Sequence, residues 1–176
     1  MNMHIRVASA ADAPALRDLA IRTFRDAFGA DNRPEDLERY LAAAYSEEQI
    51  GRDLADPDVI NFVAEFEHGL SAFAQLRHGK SPPIGMMEAP IELWRFYVDK
   101  AYHGRGVAAA LMAHVTAHAV ELGARTLWLG VWERNPRGIA FYTKVGFVDV
   151  GSYVFVLGND PQTDRVMVRS IGAPPR

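Results

Sequence analysis

Two glycines close together, Gly104 and Gly106, carry the clearest chemical signal in the sequence. They follow an apolar, strand-like run at residues 91 to 98, and from Val107 onward apolar residues recur at helical spacing. A helix start leaves backbone N–H groups without partners and carries the positive end of the helix dipole, and glycines let a bulky anion approach the backbone. The turn therefore predicts a diphosphate site, although a tight connection alone would also explain both glycines.

The diphosphate could belong to more than one cofactor. The spacing Gly104-x-Gly106-x-x-Ala109 loosely matches the fingerprint of dinucleotide-binding proteins, which makes an oxidoreductase an alternative. That fingerprint normally opens a repeated β-α-β pattern with an acidic residue ending the next strand, whereas the strand at 126 to 131 leads on to Glu133. The sequence lacks the Gly-Lys-Ser or Gly-Lys-Thr of a Walker A loop, which binds nucleoside triphosphates. The glycine turn alone does not choose between cofactors.

Composition limits the chemistry. The chain has 176 residues, of which 49% are hydrophobic, and no long Pro, Gly or Ser run, which predicts one domain over residues 1 to 176. The absence of cysteine excludes disulfides, thiolate zinc sites and a cysteine nucleophile. His114 and His118 stand four residues apart but lack a third ligand, so no metal is expected. With no secretory signal and no apolar run long enough to span a bilayer, we expect a cytoplasmic protein without membrane or nucleic-acid partners.

Two segments together resemble one family. The run His103-Gly104-Arg105-Gly106-Val107-Ala108 is similar to the acetyl-CoA loop of the GNAT acetyltransferases, Gln/Arg-x-x-Gly-x-Gly/Ala, with histidine in place of the usual Gln or Arg. The stretch from Asn135 to Phe147 resembles the family's Asn-x-x-Ala-x-x-Phe-Tyr-x-x-x-Gly-Phe element, with its alanine at position 140. The segments 129–133 and 158–164 look most like the bacterial polyamine acetyltransferases of the PaiA type.

The resemblance implies direct transfer of an acetyl group from acetyl-CoA to a primary amine. It implies that Tyr142 donates a hydrogen bond to the departing thiolate. It also implies that the backbone N–H of Val98 donates a hydrogen bond to the thioester oxygen. Glu92 is the candidate base, because histone-type members of the family carry a glutamate at the matching point of this strand. Contacts with the coenzyme are expected from Tyr97, Val98, His103, Gly104, Arg105, Gly106, Val107, Ala108, Asn135 and Lys144.

Glu92 and Tyr142 each have a structural alternative. Strand alternation would place Glu92, Trp94, Phe96 and Val98 on one face, so that the carboxylate lies along an aromatic wall, unless a bulge alters the parity. The alternative is a strand-end glutamate that faces water. Tyr142 could equally be a core tyrosine of an amphipathic helix.

These residues require a sheet flanked by helices. Periodicity and turn residues predict strands near 4–8, 61–67, 70–77, 91–98, 126–131, 148–157 and 165–171, and helices beginning after Asp12, at Pro34, near Ser46, at Val107 and after Asn135. The order predicts the α+β class (α/β/α), with a mixed, mostly antiparallel twisted sheet of about six to seven strands and helices on both faces. The resemblance adds that the two central strands splay apart. Residues 172 to 176 are predicted to form a loose tail.

Charge is uneven along the chain and bears on the acceptor. Residues 1 to 60 hold 12 Asp and Glu against 7 Arg. The first two helices of GNAT folds roof the acceptor site, and the favoured acceptor is a polyamine such as spermidine because this region carries Asp26, Asp31, Glu35, Asp36 and Glu38. Acidic helices also serve solubility alone. A protein or peptide N-acetyltransferase and a coenzyme-A-binding sensor without turnover stay open as alternatives, and homodimer formation is a further expectation.

Overall fold

The computed structural model describes residues 2–172 and shows a seven-stranded sheet with helices on both faces. The strands are β1 (His4–Val7), β2 (Val59–Phe66), β3 (Gly69–Arg77), β4 (Pro90–Val98), β5 (Thr126–Trp132), β6 (Val148–Leu157) and β7 (Asp160–Ser170). The helices are α1 (Ala13–Phe28), α2 (Pro34–Ala44), α3 (Glu47–Ala55), α4 (Val107–Glu121) and α5 (Pro136–Lys144), with 3-10 turns at Ala10–Asp12 and Lys100–Tyr102. The fold class is as predicted, whereas the tail predicted at 172–176 lies outside the described residues from 173 on.

The sheet has the order β1-β2-β3-β4-β5-β7-β6, and all neighbouring strands are antiparallel except β4 and β5. It separates two apolar cores. Phe62 packs in the core covered by α4 and α5, while the adjacent Val63 packs in the core covered by α1, α2 and α3, as strand alternation requires. Each buried side chain of this size contributes roughly 1.5–3 kcal/mol. No helix within residues 2–172 combines the length and the apolar character needed to cross a bilayer.

Local signals start the helices at the predicted positions. Ser46 Oγ accepts a hydrogen bond from the backbone N–H three residues on (3.0 Å), and Asn135 Oδ1 accepts one from Gly138 (2.9 Å). Pro34 and Pro136 occupy the first turns of α2 and α5, where a helix has no use for the missing N–H. The sequence therefore encodes where α2, α3 and α5 begin.

The last hairpin is longer and tighter than the sequence predicts. Strand β7 begins at Asp160 rather than at residue 165, because β6 and β7 join through a two-residue turn. Gly158 in this turn has a φ of +64°, the left-handed conformation that such turns need. Pro161 is tolerated because residues 160–163 pair with β6 but not with β5, which leaves one edge of the backbone without a required partner. Asp164 is therefore a strand residue and not part of a loop.

A bulge interrupts β4. Arg95 pairs with Gln75, but Leu93 pairs with Leu76, so Trp94 is an extra residue on this strand. An extra residue reverses the alternation of side chains beyond it, because successive residues of a strand point to opposite faces. The bulge also bends the strand where the sheet begins to open.

The bulge corrects the predicted orientation of β4. Phe96 and Val98 pack in the core beneath α4 and α5, whereas Tyr97 packs in the core beneath α1 and α2. The prediction that Glu92, Trp94, Phe96 and Val98 share one face is therefore wrong. No local residue pattern marks the inserted residue, because the register depends on the pairing with β3.

Strands β4 and β5 separate part-way along the sheet. They pair in parallel at three positions, of which the last is Glu92 with Trp128. Beyond this pair β5 continues along β7 as far as Trp132, while β4 continues along β3 as far as Val98. The two strands therefore enclose a gap that sheet hydrogen bonds do not bridge, as the resemblance implies.

Candidate active site

The glycine turn has the geometry of an anion site. Gly104 and Gly106 have φ angles of +75° and +81°, and Gly106 is the N-cap residue of α4. A Cβ built on either glycine would meet nothing within 4 Å, so the space beside this backbone is open. The first N–H groups of the helix, including those of Val107 and Ala108, lack intrahelical partners and lie at the positive end of its dipole. The turn can therefore hold a diphosphate.

His103 ties this turn to the end of β4. Its Nε2 lies 2.9 Å from the backbone oxygen of Val98. Asp99 stabilises the same corner by accepting hydrogen bonds from the backbone N–H of Ala101 (2.9 Å) and from Nη2 of Arg22 (2.8 Å). The ring of His103 is thus engaged with the protein, which leaves the backbone of the turn for an anion.

The backbone N–H of Val98 faces the gap between β4 and β5. The N–H of Asp99 donates to the backbone oxygen of Ser71 across β3 and β4 (2.8 Å), so these two form a hydrogen-bonded pair. The adjacent pair, Ala72 and Val98, must then direct its N–H and C=O groups away from each other. Val98 N–H therefore points to the side from which β5 has diverged, where a donor to a thioester oxygen is needed.

Tyr142 approaches the gap from α5. Its ring packs edge-on against Phe96, Phe141 and Phe147, with centroid distances of 6.3, 5.5 and 5.7 Å. Burial raises the pKa of Tyr142 above its ordinary value of 10.0. The hydroxyl therefore keeps its proton at neutral pH and can donate a hydrogen bond to a departing thiolate.

A cavity of about 440 Å³ occupies the gap and receives side chains from both faces of the sheet. Tyr142 and Asn135 line it from the side of α5, and Glu92 lines it from β4. The wall is rich in aromatic side chains, which also include Phe24, Phe28, Tyr40, Trp94, Phe96, Tyr97, Trp128, Trp132, Tyr153 and Phe155. A coenzyme on one side of the sheet and an acceptor on the other can therefore meet inside it.

Glu92 belongs to the cavity wall and does not face bulk water. It is 6% exposed, and Arg77 donates to its Oε2 from Nε at 2.7 Å. Arg77 also lies over the ring of Trp94, 4.0 Å from the centroid. The ion pair occupies one of the carboxylate oxygens, so an acceptor amine would have to compete with Arg77 for Glu92.

Asp164 is a second cavity carboxylate, and the sequence analysis does not single it out. It is 8% exposed; Tyr153 donates a hydrogen bond from its hydroxyl to Oδ2 (3.3 Å), and within residues 2–172 no group bonds Oδ1. Burial raises the pKa of Asp164 to about 6. The available signal was its inward position in β7, but the strand was predicted to begin at Arg165, which left Asp164 outside it.

A buried ion pair forms another part of the site. Arg95 donates from Nη1 to Asp53 Oδ2 (2.7 Å) and to Gln75 Oε1 (2.9 Å). Its guanidinium lies 4.0 Å from the ring centroid of Trp94 and 4.9 Å from that of Tyr45. Because Arg95 and Asp53 are both buried, each depends on the other for its charge to be tolerated. The pair joins α3 to the bulge of β4.

The predicted coenzyme residues do not all converge. Asn135 lines the cavity and caps α5, while Lys144, in the last turn of α5, is exposed. Arg105 is exposed and lies 5.7 Å from the ring of Tyr102. The side chain of Tyr97 packs in the core on the opposite face of the sheet from α4. The contacts of these residues with a coenzyme stay predictions.

Nearby cations neutralise much of the acidic charge on the first helices. The ion pairs are Asp26 with Lys100 (2.8 Å), Glu38 with Arg25 (2.8 Å) and Asp36 with Arg33 (2.7 Å). Paired and solvent-screened charges act weakly at a distance. The charge argument for a polyamine acceptor therefore loses weight.

His114 and His118 have a structural role. Both rings pack edge-on against Phe62, with centroid distances of 5.7 and 5.1 Å. Across residues 2–172 no group of three His, Asp or Glu side chains is arranged to hold a metal ion.

The chain belongs to the acetyltransferase (GNAT) family, whose sequence profile matches residues 14–147. It is an N-acetyltransferase of the type that uses acetyl-CoA. An uncharacterised N-acetyltransferase of Mycobacterium tuberculosis is 35% identical over 160 residues, which are 91% of this chain and 98% of that relative.

Two further comparisons bear on the fold and on the acceptor. The PaiA N-acetyltransferase of Thermoplasma acidophilum, solved in complex with coenzyme A, superimposes with a TM-score of 0.78 at 21% identity and covers 97% of this chain and 99% of its own. This likeness shows the fold. The ribosomal protein bS18-alanine N-acetyltransferase of Escherichia coli is 30% identical over 78 residues, which are 43% of this chain and 53% of that enzyme.

Proposed function

We propose that the protein transfers an acetyl group from acetyl-CoA, directly and within a ternary complex, to the primary amine of a small molecule. One observation carries the proposal: the aromatic cavity passes through the gap between β4 and β5 and includes Tyr142 in its wall. An acceptor in this cavity would reach the acetyl carbon while the coenzyme lies along the glycine turn.

The residues divide the work by chemistry. The backbone N–H groups of Gly106, Val107 and Ala108 would hold the diphosphate, and Arg105 and Lys144 would meet the outer phosphates. Asn135 would contact the pantetheine arm by the resemblance. The N–H of Val98 would stabilise the oxygen of the tetrahedral intermediate. Tyr142 would donate a hydrogen bond to the sulfur as the C–S bond breaks.

The amine must lose a proton before it attacks. A lysine-like amine with a pKa near 10.4 is neutral in roughly one molecule per thousand or fewer at pH 7. Glu92 is the candidate base predicted from the sequence, and it lies in the cavity wall, but Arg77 competes for its charge. Asp164 is a second carboxylate in the same cavity.

Closure of the acceptor side favours a small molecule over a peptide. Gln162 in β7 donates to Asn32 Oδ1 (2.6 Å), and the backbone N–H of Asn159 donates to Asp36 Oδ1 (3.1 Å). These bonds join the segment between α1 and α2, and the first turn of α2, to the β6–β7 hairpin beside the cavity. The protein acceptor of the E. coli relative supports the alternative, a protein N-acetyltransferase, over the matched residues only.

The test has two stages. Acetyl-CoA or coenzyme A should raise the melting temperature, whereas NAD should not; the opposite result would favour the dinucleotide-binding alternative. Release of free thiol is then followed with spermidine, aliphatic and aromatic monoamines and a peptide with an N-terminal alanine. Binding of the coenzyme without thiol release for any amine would leave the sensor alternative. The amine panel tests spermidine, the acceptor that the sequence favours. A cytoplasmic location and a homodimer stay predictions, the last tested by light scattering.

A further inference from the structure

One carboxylate of the cavity wall has no ion-pair partner among the residues that the structure describes. Arg77 bonds Glu92, and Arg95 bonds Asp53, each at 2.7 Å. Among the residues that the structure describes, Asp164 forms no ion pair, and Tyr153 is its hydrogen-bond partner. The cavity therefore contains one negative charge that the protein itself leaves unbalanced.

The carboxylate of Asp164 is built for a partner that the chain does not supply. Its Oδ1 is buried without a hydrogen bond, and its other oxygen accepts a single, long bond of 3.3 Å from Tyr153. A buried carboxylate in this state costs free energy unless a donor or a cation joins it. Rotation about the last torsion of an aspartate is broad, so either oxygen can turn toward the cavity at little cost.

The walls near Asp164 suit a cation that carries an apolar body. Trp132 pairs with Asp164 across β5 and β7, and its ring packs on Phe28 at 5.9 Å. Tyr40 and Phe155 pack on each other at 5.8 Å in the same wall. Aromatic faces attract an ammonium group and bury hydrocarbon at the same time.

A second positive charge on the acceptor would not find a second unpaired carboxylate in the described part of the cavity wall. Within the described part of the chain, the other cavity carboxylate, Glu92, is held by Arg77, and the guanidinium of Arg95 also lies in the wall. Lys80, at an exposed position, adds a further cation to the lining. No further unpaired carboxylate among the described lining residues is available for the additional ammonium groups of a polyamine.

We infer that Asp164 binds the ammonium group of the acceptor and takes its proton, and that the acceptor is a small amine with one positive charge and an apolar body. The inference rests on the proposed acetyl transfer. One proton of the ammonium passes to Asp164 and on to solvent; the nitrogen then bonds to the acetyl carbon as the C–S bond breaks. A second proton of the nitrogen leaves with the sulfur, which gives the amide and free coenzyme A.

The surroundings of Asp164 support this role at neutral pH. The titratable groups that face it are Tyr153 from β6 and Tyr40 from α2, while Glu92 and Arg77 act on Tyr153 from β4 and β3. With burial raising the pKa of Asp164 to about 6, the carboxylate is ionised at pH 7 yet basic enough to receive a proton.

The experiment compares Asp164→Asn with Asp160→Asn, an exposed aspartate on the same strand. With 2-phenylethylamine as acceptor, kcat/KM of Asp164→Asn should fall about 100-fold, the acidic limb of the pH profile near pH 6 should disappear, and KM for acetyl-CoA should stay the same. Asp160→Asn should match the wild type. The wild type should prefer 2-phenylethylamine to spermidine.

Binding separates failure of this inference from failure of the proposed function. Calorimetry with 2-phenylethylamine in the presence of coenzyme A should give at least ten-fold weaker binding to Asp164→Asn, whether or not turnover occurs. No thiol release with any amine would refute the proposed acetyl transfer. Equal amine affinity in both proteins, or an unchanged kcat/KM and pH profile in an active enzyme, would overturn the role of Asp164. A preference for spermidine would overturn the acceptor class.

Discussion

Tyr142 differs from a free tyrosine in the cost of giving up its proton. Proton transfer from an ordinary tyrosine to a thiolate with a conjugate pKa of about 8.5 is uphill by roughly 2 kcal/mol. Burial raises the pKa of Tyr142 further, so full transfer costs more here. This hydroxyl can therefore act on the leaving sulfur as a hydrogen-bond donor.

Removal of that hydroxyl tests the role. Tyr142→Phe should lower kcat by about 100-fold and leave KM for acetyl-CoA and the melting shift with coenzyme A nearly unchanged, because the ring still packs on Phe96. Steady-state thiol release provides the measurement. Tyr102→Phe, in which the ring still stacks on Phe66 at 4.8 Å, serves as the control and should keep full activity. An unchanged kcat would remove Tyr142 from thiolate departure.

Asp164 should make the protein less stable at neutral pH than in weak acid. The pKa of its carboxyl is raised from 3.8 to about 6, so between these values the folded state binds more protons than the unfolded state. This contribution to stability is complete below pH 4 and is lost as the pH rises through 6, by at most about 3 kcal/mol.

Asn at position 164 keeps the shape without the charge. Asp164→Asn should therefore melt at a higher temperature than the wild type at pH 7.5 and at nearly the same temperature at pH 4.5. Thermal scans without ligand at both pH values measure the difference, and Asp160→Asn should follow the wild type at both. A lower melting temperature for Asp164→Asn at pH 7.5 would contradict a strained carboxylate.

At the scale of elements, the sequence predicted the features that depend on short segments. The starts of α2 and α5 follow from Pro34 and Pro136, and the glycine turn follows from two glycines before an apolar helix. A bulge in β4 was left open, and its place at Trp94 could not be predicted, because it depends on pairing with a strand about 20 residues away in the chain. The role of Asp164 was missed for the same reason, since only the pairing of β7 with β5 places it in the cavity.

The glycine turn offers a test with a matched control. Gly106→Val puts a branched side chain at a φ of +81° and fills the open space beside the first turn of α4, so coenzyme A should no longer raise the melting temperature. Gly85→Val imposes comparable strain at +69°, also with no atom within 4 Å, in a loop away from α4. Both should lose roughly 1–2 kcal/mol, but Gly85→Val should keep the coenzyme shift. Loss of the shift in both variants would point to a general effect of strain.

The buried pair of Arg95 and Asp53 holds α3 against β4. Asp53→Ala leaves the guanidinium buried without its carboxylate, so the free energy of unfolding should fall by about 3–5 kcal/mol. Glu48→Ala in the same helix removes only an exposed ion pair with Arg52 and should cost about 0.3–0.5 kcal/mol. Urea denaturation measures both. A similar loss of unfolding free energy in the two variants would mean that the buried pair contributes no more to stability than the exposed one.

At the scale of the whole molecule, the family and the coenzyme were predictable because the motifs that indicate them each lie within a short segment of chain. The acceptor was not, because its cavity is assembled from α1, α2, β4, β5, α5, β6 and β7. The acidic count of residues 1 to 60 suggested a polycation, but that count ignores the partners that folding brings to Asp26, Asp36 and Glu38. Charge along a sequence predicts a binding site only where the fold leaves the charge unpaired.

The contact between α2 and the β6–β7 turn lies beside the cavity in which we propose that the acceptor binds. Asp36 accepts the backbone N–H of Asn159 (3.1 Å), and Gly158 lies so close to it that a Cβ there would come within 2.8 Å of its carboxylate. The bonds from Asn159 and Arg33 lower the pKa of Asp36, so the contact should persist below the ordinary value of 3.8. The cavity should therefore keep its shape over the working range of pH.

Loss of this contact should loosen the wall without touching the chemistry. Asp36→Ala should raise KM for a small amine several-fold, leave KM for acetyl-CoA unchanged and allow slow turnover of a peptide with an N-terminal alanine, because the hairpin tip then loses the hydrogen bond of Asn159 and keeps that of Gln162 with Asn32. Glu35→Ala, one residue earlier and exposed, is the control and should change none of these values. Steady-state kinetics with each substrate varied in turn decides the matter. An unchanged KM for the amine would show that the closed wall does not select the acceptor, and peptide turnover by the unmodified protein would show that the wall is open in solution.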